Sequence, residues 1–138
     1  MNSTNQRPLS PHLTIWKWGP NMTVSILHRI TGGALTVAGL AILTWWLISL
    51  AGGAAEYAGF AKIIDHWAFQ LVLLGLTWAF WQHFLSGIRH IVMDVGAGYE
   101  LKVNRFWAMM TIVGALFLTA LTWASLSGYL AAILGGAQ

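Results

Sequence analysis

The sequence predicts an all-α integral membrane protein, with three transmembrane helices and a short N-terminal cytoplasmic segment. Two observations carry this prediction. Of the 138 residues, 57% are hydrophobic and only 8% are charged, whereas about a quarter of a soluble domain is charged. The charged residues also occur in clusters, which long apolar stretches separate. No internal repeat or second domain is visible, so residues 1–138 are expected to form one membrane domain.

Three stretches are long enough to cross about 30 Å of hydrocarbon at about 1.5 Å per residue. They run from Ile30 to Leu50, from Trp67 to Ile88 and from Phe106 to Leu134. An N-terminal segment of residues 1–19 is expected to precede helices at about residues 20–50, 66–95 and 105–134. Pro20 suits the first turn of the first helix. Residues 52–65 and 96–104 are expected to be the connections.

Basic residues near the span ends predict the orientation, because they resist translocation. One side of the membrane receives Arg7, Lys17, Arg29, Arg89, Lys102 and Arg105. The other side receives only Lys62. The N-terminus is therefore placed in the cytoplasm, in a multi-pass protein of a bacterial inner membrane, with the mitochondrial inner membrane as the alternative. The formal net charge of +3 reflects this bias and does not indicate nucleic-acid binding. Lipid is expected to surround the spans.

The second span carries an ionisable side chain at mid-depth. His83 directly follows the uncharged run of residues 67–82, and His90 lies seven residues later on the same helical face. Gly87, between them on that face, removes a side chain that would block a flat macrocycle. Ionisable residues inside a span are costly and indicate a functional site. An interhelical hydrogen bond is the alternative for a single histidine, and the absence of cysteine excludes thiolate metal sites.

A heme fits this pattern. With His83 as a ligand of the iron, the propionates would project toward the cytoplasmic end, about 10 Å along the helix axis. His28, Arg29, Arg89 and His90 lie near that level and would neutralise two carboxylates. Electron-transfer heme needs a second strong axial ligand. The remaining histidines do not lie at the right depth, so that ligand is expected from another chain.

The first helix offers a second candidate surface. Trp18, Met22, Ser25 and Arg29 follow a four, three, four spacing, which lines one helical face at the membrane boundary. An aromatic wall, a hydroxyl and a guanidinium would hold a lipophilic molecule with a carbonyl head, such as a quinone. In the alternative, Arg29 reaches lipid phosphates and Ser25 bonds back to its own backbone.

Three ordered segments resemble one known family. They are RPLSPHLTI at residues 7–15, SILHRITG at residues 25–32 and HFLSGIRHIVMD at residues 83–94. Together with the three spans, they resemble the cytochrome b membrane-anchor subunits of succinate dehydrogenase, respiratory complex II. The likeness covers essentially the whole chain. Trp16 departs from it, because the family commonly has tyrosine at that position.

The resemblance implies roles for individual residues. His83 would be one axial ligand of heme b, and a second membrane-anchor subunit would donate the other ligand and complete the helix bundle. His28, Arg29 and His90 would border the propionates. The ubiquinone pocket would be lined by Trp18, Met22, Ser25, Ile26 and Arg29. Ser25 and Arg29 would orient the quinone head, whereas Asp94 matches the family motif without a firm chemical role.

The same resemblance implies a place in a larger enzyme. Succinate would be oxidised at the flavin of a flavoprotein subunit, and electrons would pass through the clusters of an iron-sulfur subunit. Ubiquinone, as substrate, would be reduced at the membrane surface, and this chain would carry no dicarboxylate site. Two alternatives remain open: the anchor of a quinol:fumarate reductase, and a transport or structural membrane subunit without heme.

Overall fold

The computed structural model describes residues 16–126 and Gly128. The chain forms α1 (Pro20–Ala34), a π-helical turn (Leu35–Gly39), α2 (Leu40–Ala51), α3 (Ala54–Ile64), α4 (Trp67–Asp94) and α5 (Leu101–Leu126). Three continuous helical stretches in this part are long and apolar enough to cross a membrane: Pro20–Ala51, Trp67–Asp94 and Leu101–Leu126. The predicted all-α fold with three spans is confirmed, and the described residues contain no strand. The motif at residues 7–15 lies outside them.

The first span begins at Pro20, directly after the extended residue Gly19. Proline suits this position, because its ring fixes a helical φ and the first turn needs no backbone donor there. The span then continues to Ala51 through the π-helical turn, which the sequence did not predict. In that turn, the Thr36 hydroxyl donates to the Gly32 carbonyl over 2.8 Å.

The first connection contains a helix that the sequence did not predict. Residues 52–65 join the first two spans, as expected, and Ala54–Ile64 within them form the helix α3. Phe60 is buried in α3, and its ring meets Trp45 of α2 edge to face at 4.7 Å. This contact holds α3 against the end of the first span. The sequence did not indicate this helix, because the stretch is too short to span a membrane and seven of its fourteen residues are glycine or alanine.

The third span also differs from its predicted bounds. It begins at Leu101, one turn before the predicted start near residue 105. It ends at Leu126, and Gly128 lies in a turn with φ 75°, a left-handed conformation that often ends helices. The predicted continuation over residues 129–134 lies outside the described part of the chain. By contrast, α4 matches its expected range within one residue at each end.

Small and short polar side chains fill the contacts between the spans. The buried positions on α5 recur every three or four residues, at Ala108, Thr111, Ala115 and Thr119. Those on α4 are Ala79, Gln82 and Ser86. Inside a bilayer, helices associate through close packing and hydrogen bonds, so small residues at the contact allow the backbones to approach. The arrangement brings one face of α4 against α1 and another against α5.

Two tryptophans reinforce the contact between α4 and α5. Trp81 of α4 donates its indole N–H to Thr122 over 3.0 Å, and Trp123 of α5 donates to Thr77 over 3.3 Å. The two bonds run in opposite directions between the same pair of helices. They fix the rotation of each helix about its own axis at the end opposite to residues 20–30.

Candidate functional site

The candidate site lies where α1 crosses α4. The rings of His28 and His83 stack with their centroids 4.0 Å apart and their planes within 5° of parallel. The ring of His90 lies 5.1 Å from that of His28, at 59°. The structure therefore brings together three histidines that are separated in sequence. Their predicted roles toward a heme remain predictions.

One hydrogen bond fixes the orientation of the His83 ring. Its Nδ1 lies 3.0 Å from the backbone carbonyl oxygen of His28. A carbonyl only accepts hydrogen bonds, so Nδ1 carries the proton and donates it. The lone pair is therefore on Nε2, and Nε2 makes no hydrogen bond to another described residue. Histidines that bind metals are oriented in this way by an acceptor at the other ring nitrogen.

The stacked ring of His28 is held in turn by α4. Its Nδ1 lies 2.7 Å from the hydroxyl of Ser86, which is fully buried. The Ser86 hydroxyl donates to the Gln82 carbonyl over 2.8 Å, so it accepts from the histidine. Thr31 adds a further polar group, because its buried hydroxyl lies 3.5 Å from Nδ1 of His83. The cluster is thus connected from α4 to α1 and back.

These residues fit a heme better than a metal ion held by several side chains. Within residues 16–126 and 128, no three histidine, aspartate or glutamate side chains converge on one point. What the site offers is one imidazole nitrogen with a fixed lone pair, on a ring that is only partly buried. A heme iron takes one such nitrogen on each axial side. The fixed lone pair of His83 is therefore compatible with the predicted role of one heme ligand, which remains a prediction.

The predicted quinone residues are placed along the first turns of α1. Ser25 and Ile26 are half-buried, whereas Met22 and Arg29 are exposed. Trp18 lies before the helix, so the helical spacing that grouped it with the others does not apply to it. Its indole N–H donates to the Thr23 hydroxyl over 2.5 Å, and its side chain is 59% exposed. This correction leaves three of the four residues on one helical face.

Arg89, expected near the level of the propionates, makes contacts that the sequence did not predict. Its guanidinium donates to the side-chain oxygen of Asn104 on α5 and, over 3.5 Å, to that of Asn21 on α1. It therefore joins the ends of all three spans. Arg89 also lines a cavity of about 490 Å³ between α4 and α5, with Trp107 and Met110 among its apolar walls. Asp94, the last residue of α4, is exposed.

Two residues that shape the site were not predicted from the sequence. Ser86 shares the helical face of His83 and His90, so the spacing alone was sufficient to find it. Gly32 lies directly against the His83 ring. Its signal is weaker, because it belongs to a pair of adjacent glycines and the sequence does not tell which of them faces α4.

Comparison with known proteins identifies the family. Residues 3–122 match the family described as succinate dehydrogenase/fumarate reductase transmembrane subunit. The chain is 37% identical over 116 residues to the succinate dehydrogenase cytochrome b556 subunit of Paracoccus denitrificans, which covers 84% of this chain and 88% of that protein.

Two further relatives extend the comparison. The cytochrome b556 subunit of Rickettsia felis is 39% identical over 119 residues, with 86% of this chain and 92% of that protein covered. The mitochondrial cytochrome b560 subunit of Mus musculus is 34% identical over 108 residues, with 77% of this chain and 62% of that protein covered. The chain therefore belongs to the family of succinate dehydrogenase and fumarate reductase transmembrane subunits.

Proposed function

We propose that this chain binds heme b and forms part of the ubiquinone-reduction site of a succinate:ubiquinone oxidoreductase. One observation carries the heme proposal: the His28 carbonyl holds Nδ1 of His83 at 3.0 Å, which leaves Nε2 as the donor nitrogen. The names of the relatives support the same conclusion, since they are cytochrome b subunits of succinate dehydrogenase.

The residues of the histidine cluster would divide the work of holding the heme. His83 would ligate the iron through Nε2, and a histidine of a second membrane-anchor subunit would occupy the other axial position. His28, Arg29 and His90 would neutralise the propionates with hydrogen bonds assisted by charge. When bound, heme b supplies reversible one-electron transfer, and the protein sets its potential through the ligands and their surroundings.

The quinone site would use the exposed side of α1. Arg29 and Ser25 lie one helical turn apart on α1, and the side chain of neither residue is hydrogen-bonded to another described residue. Both groups are therefore available to donate to a carbonyl oxygen of the quinone head. Such donors stabilise the negative charge that develops on the oxygens during reduction. Met22 and Ile26 would contact the ring, and Trp18 would border the pocket from outside the helix.

The remaining chemistry would belong to other subunits. The flavin and the iron-sulfur clusters would be held by the flavoprotein and iron-sulfur subunits, and this chain would bind no dicarboxylate. The second anchor would cover part of the apolar surface that the spans expose, where Ile48 and Phe117 are each more than 60% exposed. Lipid would cover the rest. We place the complex in a bacterial inner membrane, with the N-terminus of this chain in the cytoplasm.

The proposal is tested on the complex purified through an affinity tag on this chain. The reduced-minus-oxidised absorption spectrum should show a low-spin b-type heme, and the complex should transfer electrons from succinate to ubiquinone. A preparation that contains the flavoprotein and iron-sulfur subunits but no heme would contradict the heme assignment. A complex that has heme and reduces fumarate with menaquinol, but does not reduce ubiquinone, would favour the fumarate reductase alternative.

A further inference from the structure

Gly32 of α1 and the ring of His83 make a contact that only glycine permits. A Cβ atom at position 32 would lie 2.9 Å from Cε1 and 3.2 Å from Nδ1 of His83. Real Cβ atoms essentially never approach another heavy atom within 3.0 Å. Any side chain at this position would therefore push the imidazole away from α1.

The His83 ring cannot move without losing its partners. Its Nδ1 donates to the His28 carbonyl over 3.0 Å, and its face stacks on the His28 ring at 4.0 Å. The His28 ring is fixed in turn by its 2.7 Å hydrogen bond to Ser86. A displacement of a few tenths of an ångström would lengthen the Nδ1 bond and open the stack. The space at Gly32 therefore controls the orientation of the imidazole.

The neighbouring glycines do not share this restriction. Gly33, the next residue of α1, has no atom within 4 Å of an added Cβ. Gly87, the glycine of α4 on the His83 face, would place a Cβ at an ordinary 3.7 Å from the His28 ring. Replacing glycine with alanine changes the helix propensity equally at positions 32 and 33. A difference between the properties of the two variants therefore reports the contact with His83.

We propose that Gly32 is a positioning residue for the axial ligand of the heme, an inference that rests on the proposed function. It lets the His83 ring approach α1 closely enough for Nδ1 to donate to the His28 carbonyl, which leaves Nε2 free to bind the iron. A hydrogen bond donated by the ring nitrogen that does not bind the metal raises the basicity of a histidine ligand. A more basic ligand favours ferric over ferrous iron, so the contact lowers the potential of the heme and fixes the rotation of the imidazole plane.

The test compares the assembled wild-type complex with its Gly32→Ala and Gly33→Ala variants. Electron paramagnetic resonance reports the ligand plane, and a redox titration of the heme absorbance reports the midpoint potential. Gly32→Ala should shift the low-spin signal and move the potential positive, whereas Gly33→Ala should match the wild type. A Gly32→Ala complex with the wild-type signal and potential overturns the inference while leaving the heme assignment in place. A wild-type complex without heme overturns the proposed function.

If the Gly32→Ala complex does not assemble, a second measurement tests the inference. The amount of this chain in the membrane is compared for Gly32→Ala in the wild-type background and in a His83→Ala background, where the ring is absent. The inference predicts a loss of accumulation in the first background and no further loss in the second, since the effects of contacting residues are not additive. Equal losses in both backgrounds overturn it.

Discussion

Ser86 of α4 accepts a 2.7 Å hydrogen bond from Nδ1 of His28 on α1. The bond joins two spans inside a contact where Ser86 is fully buried. His28 contacts His83 both through its backbone carbonyl and through its stacked ring, and Ser86 holds that ring in place. Hydrogen bonds between membrane helices contribute modestly, about 0.6 kcal/mol on average and up to about 1.7 kcal/mol.

Replacing Ser86 with alanine should therefore weaken the membrane domain by about 1 kcal/mol. The thermal midpoint of the purified complex, followed by heme absorbance, should fall. The heme should remain low-spin, because His83 keeps its carbonyl partner. Ser125→Ala is the matched control, since Ser125 is exposed and, among the described residues, its hydroxyl bonds only to the Leu121 carbonyl of its own helix. Equal midpoints for the two variants would argue against the role of the His28 contact.

Thr122 should stabilise the membrane domain through its hydroxyl oxygen. Thr122→Val removes the acceptor of the 3.0 Å bond from Trp81 and leaves an indole N–H unpaired between α4 and α5. The free energy of unfolding should fall by about 1 kcal/mol, which is within the range for hydrogen bonds between membrane helices. Thr122→Ser restores the acceptor and should recover most of the stability, as measured by denaturant titration. If the serine variant is as unstable as valine, packing of the methyl group dominates.

The quinone site is tested by Arg29→Leu and Ser25→Ala. Loss of the guanidinium should lower succinate-to-ubiquinone turnover by about tenfold or more, because a hydrogen bond to a charged group is worth about 1.5–3 kcal/mol. Loss of the hydroxyl should cost less. Succinate oxidation by a soluble dye acceptor should persist in both variants, since it bypasses the membrane site.

Arg105→Leu is the control for the loss of a positive charge at the membrane surface. Arg105 is exposed and lies in the first turns of α5. It should leave quinone reduction unchanged. Assembly of every variant is checked by heme content. An assembled Arg29→Leu complex with wild-type quinone turnover and wild-type sensitivity to quinone-site inhibitors would show that this face of α1 does not bind the quinone.

The orientation is open to labelling, because the chain has no cysteine. Single cysteines at Lys62 and Lys102, both exposed, should react with a membrane-impermeant maleimide on opposite sides. Lys62→Cys should be labelled in intact spheroplasts and Lys102→Cys only in inverted vesicles, as the distribution of basic residues predicts. The reverse pattern would place the N-terminus outside and contradict the orientation.

The sequence was sufficient for the spans because the bilayer imposes one dominant constraint, a long apolar run. It gave less about the parts that this constraint does not govern. The hydrophobic pattern does not distinguish the π-helical turn from the α-helix around it. The position of α3 depends on packing between side chains, such as the contact between Phe60 and Trp45. The bounds of α5 shifted because polar residues at its start, such as Asn104, are satisfied within the fold.

For the candidate site, sequence spacing identified His83 and His90 but not what surrounds them. Periodicity places residues on one helix face, but it does not show which residues of another helix lie opposite. The stack of His28 on His83 and the close approach of Gly32 are contacts between two helices. They follow from the crossing of α1 and α4, which only the folded structure provides. The partners of Arg89 were missed for the same reason, since these asparagines lie on α1 and α5.

The central claim, that His83 ligates a heme, is tested most directly by the low-spin electron paramagnetic resonance spectrum of an assembled His83→Leu complex. His90→Leu is the matched variant, since it alters the same face of α4 without removing the proposed ligand. The account predicts that His83→Leu loses or converts the bis-histidine signal, whereas His90→Leu only perturbs it. If His28 replaced His83 as the ligand, the signal would still change, because the centroid of the His28 ring lies 4.0 Å from that of the His83 ring. An unchanged bis-histidine spectrum in the His83→Leu complex would contradict the account.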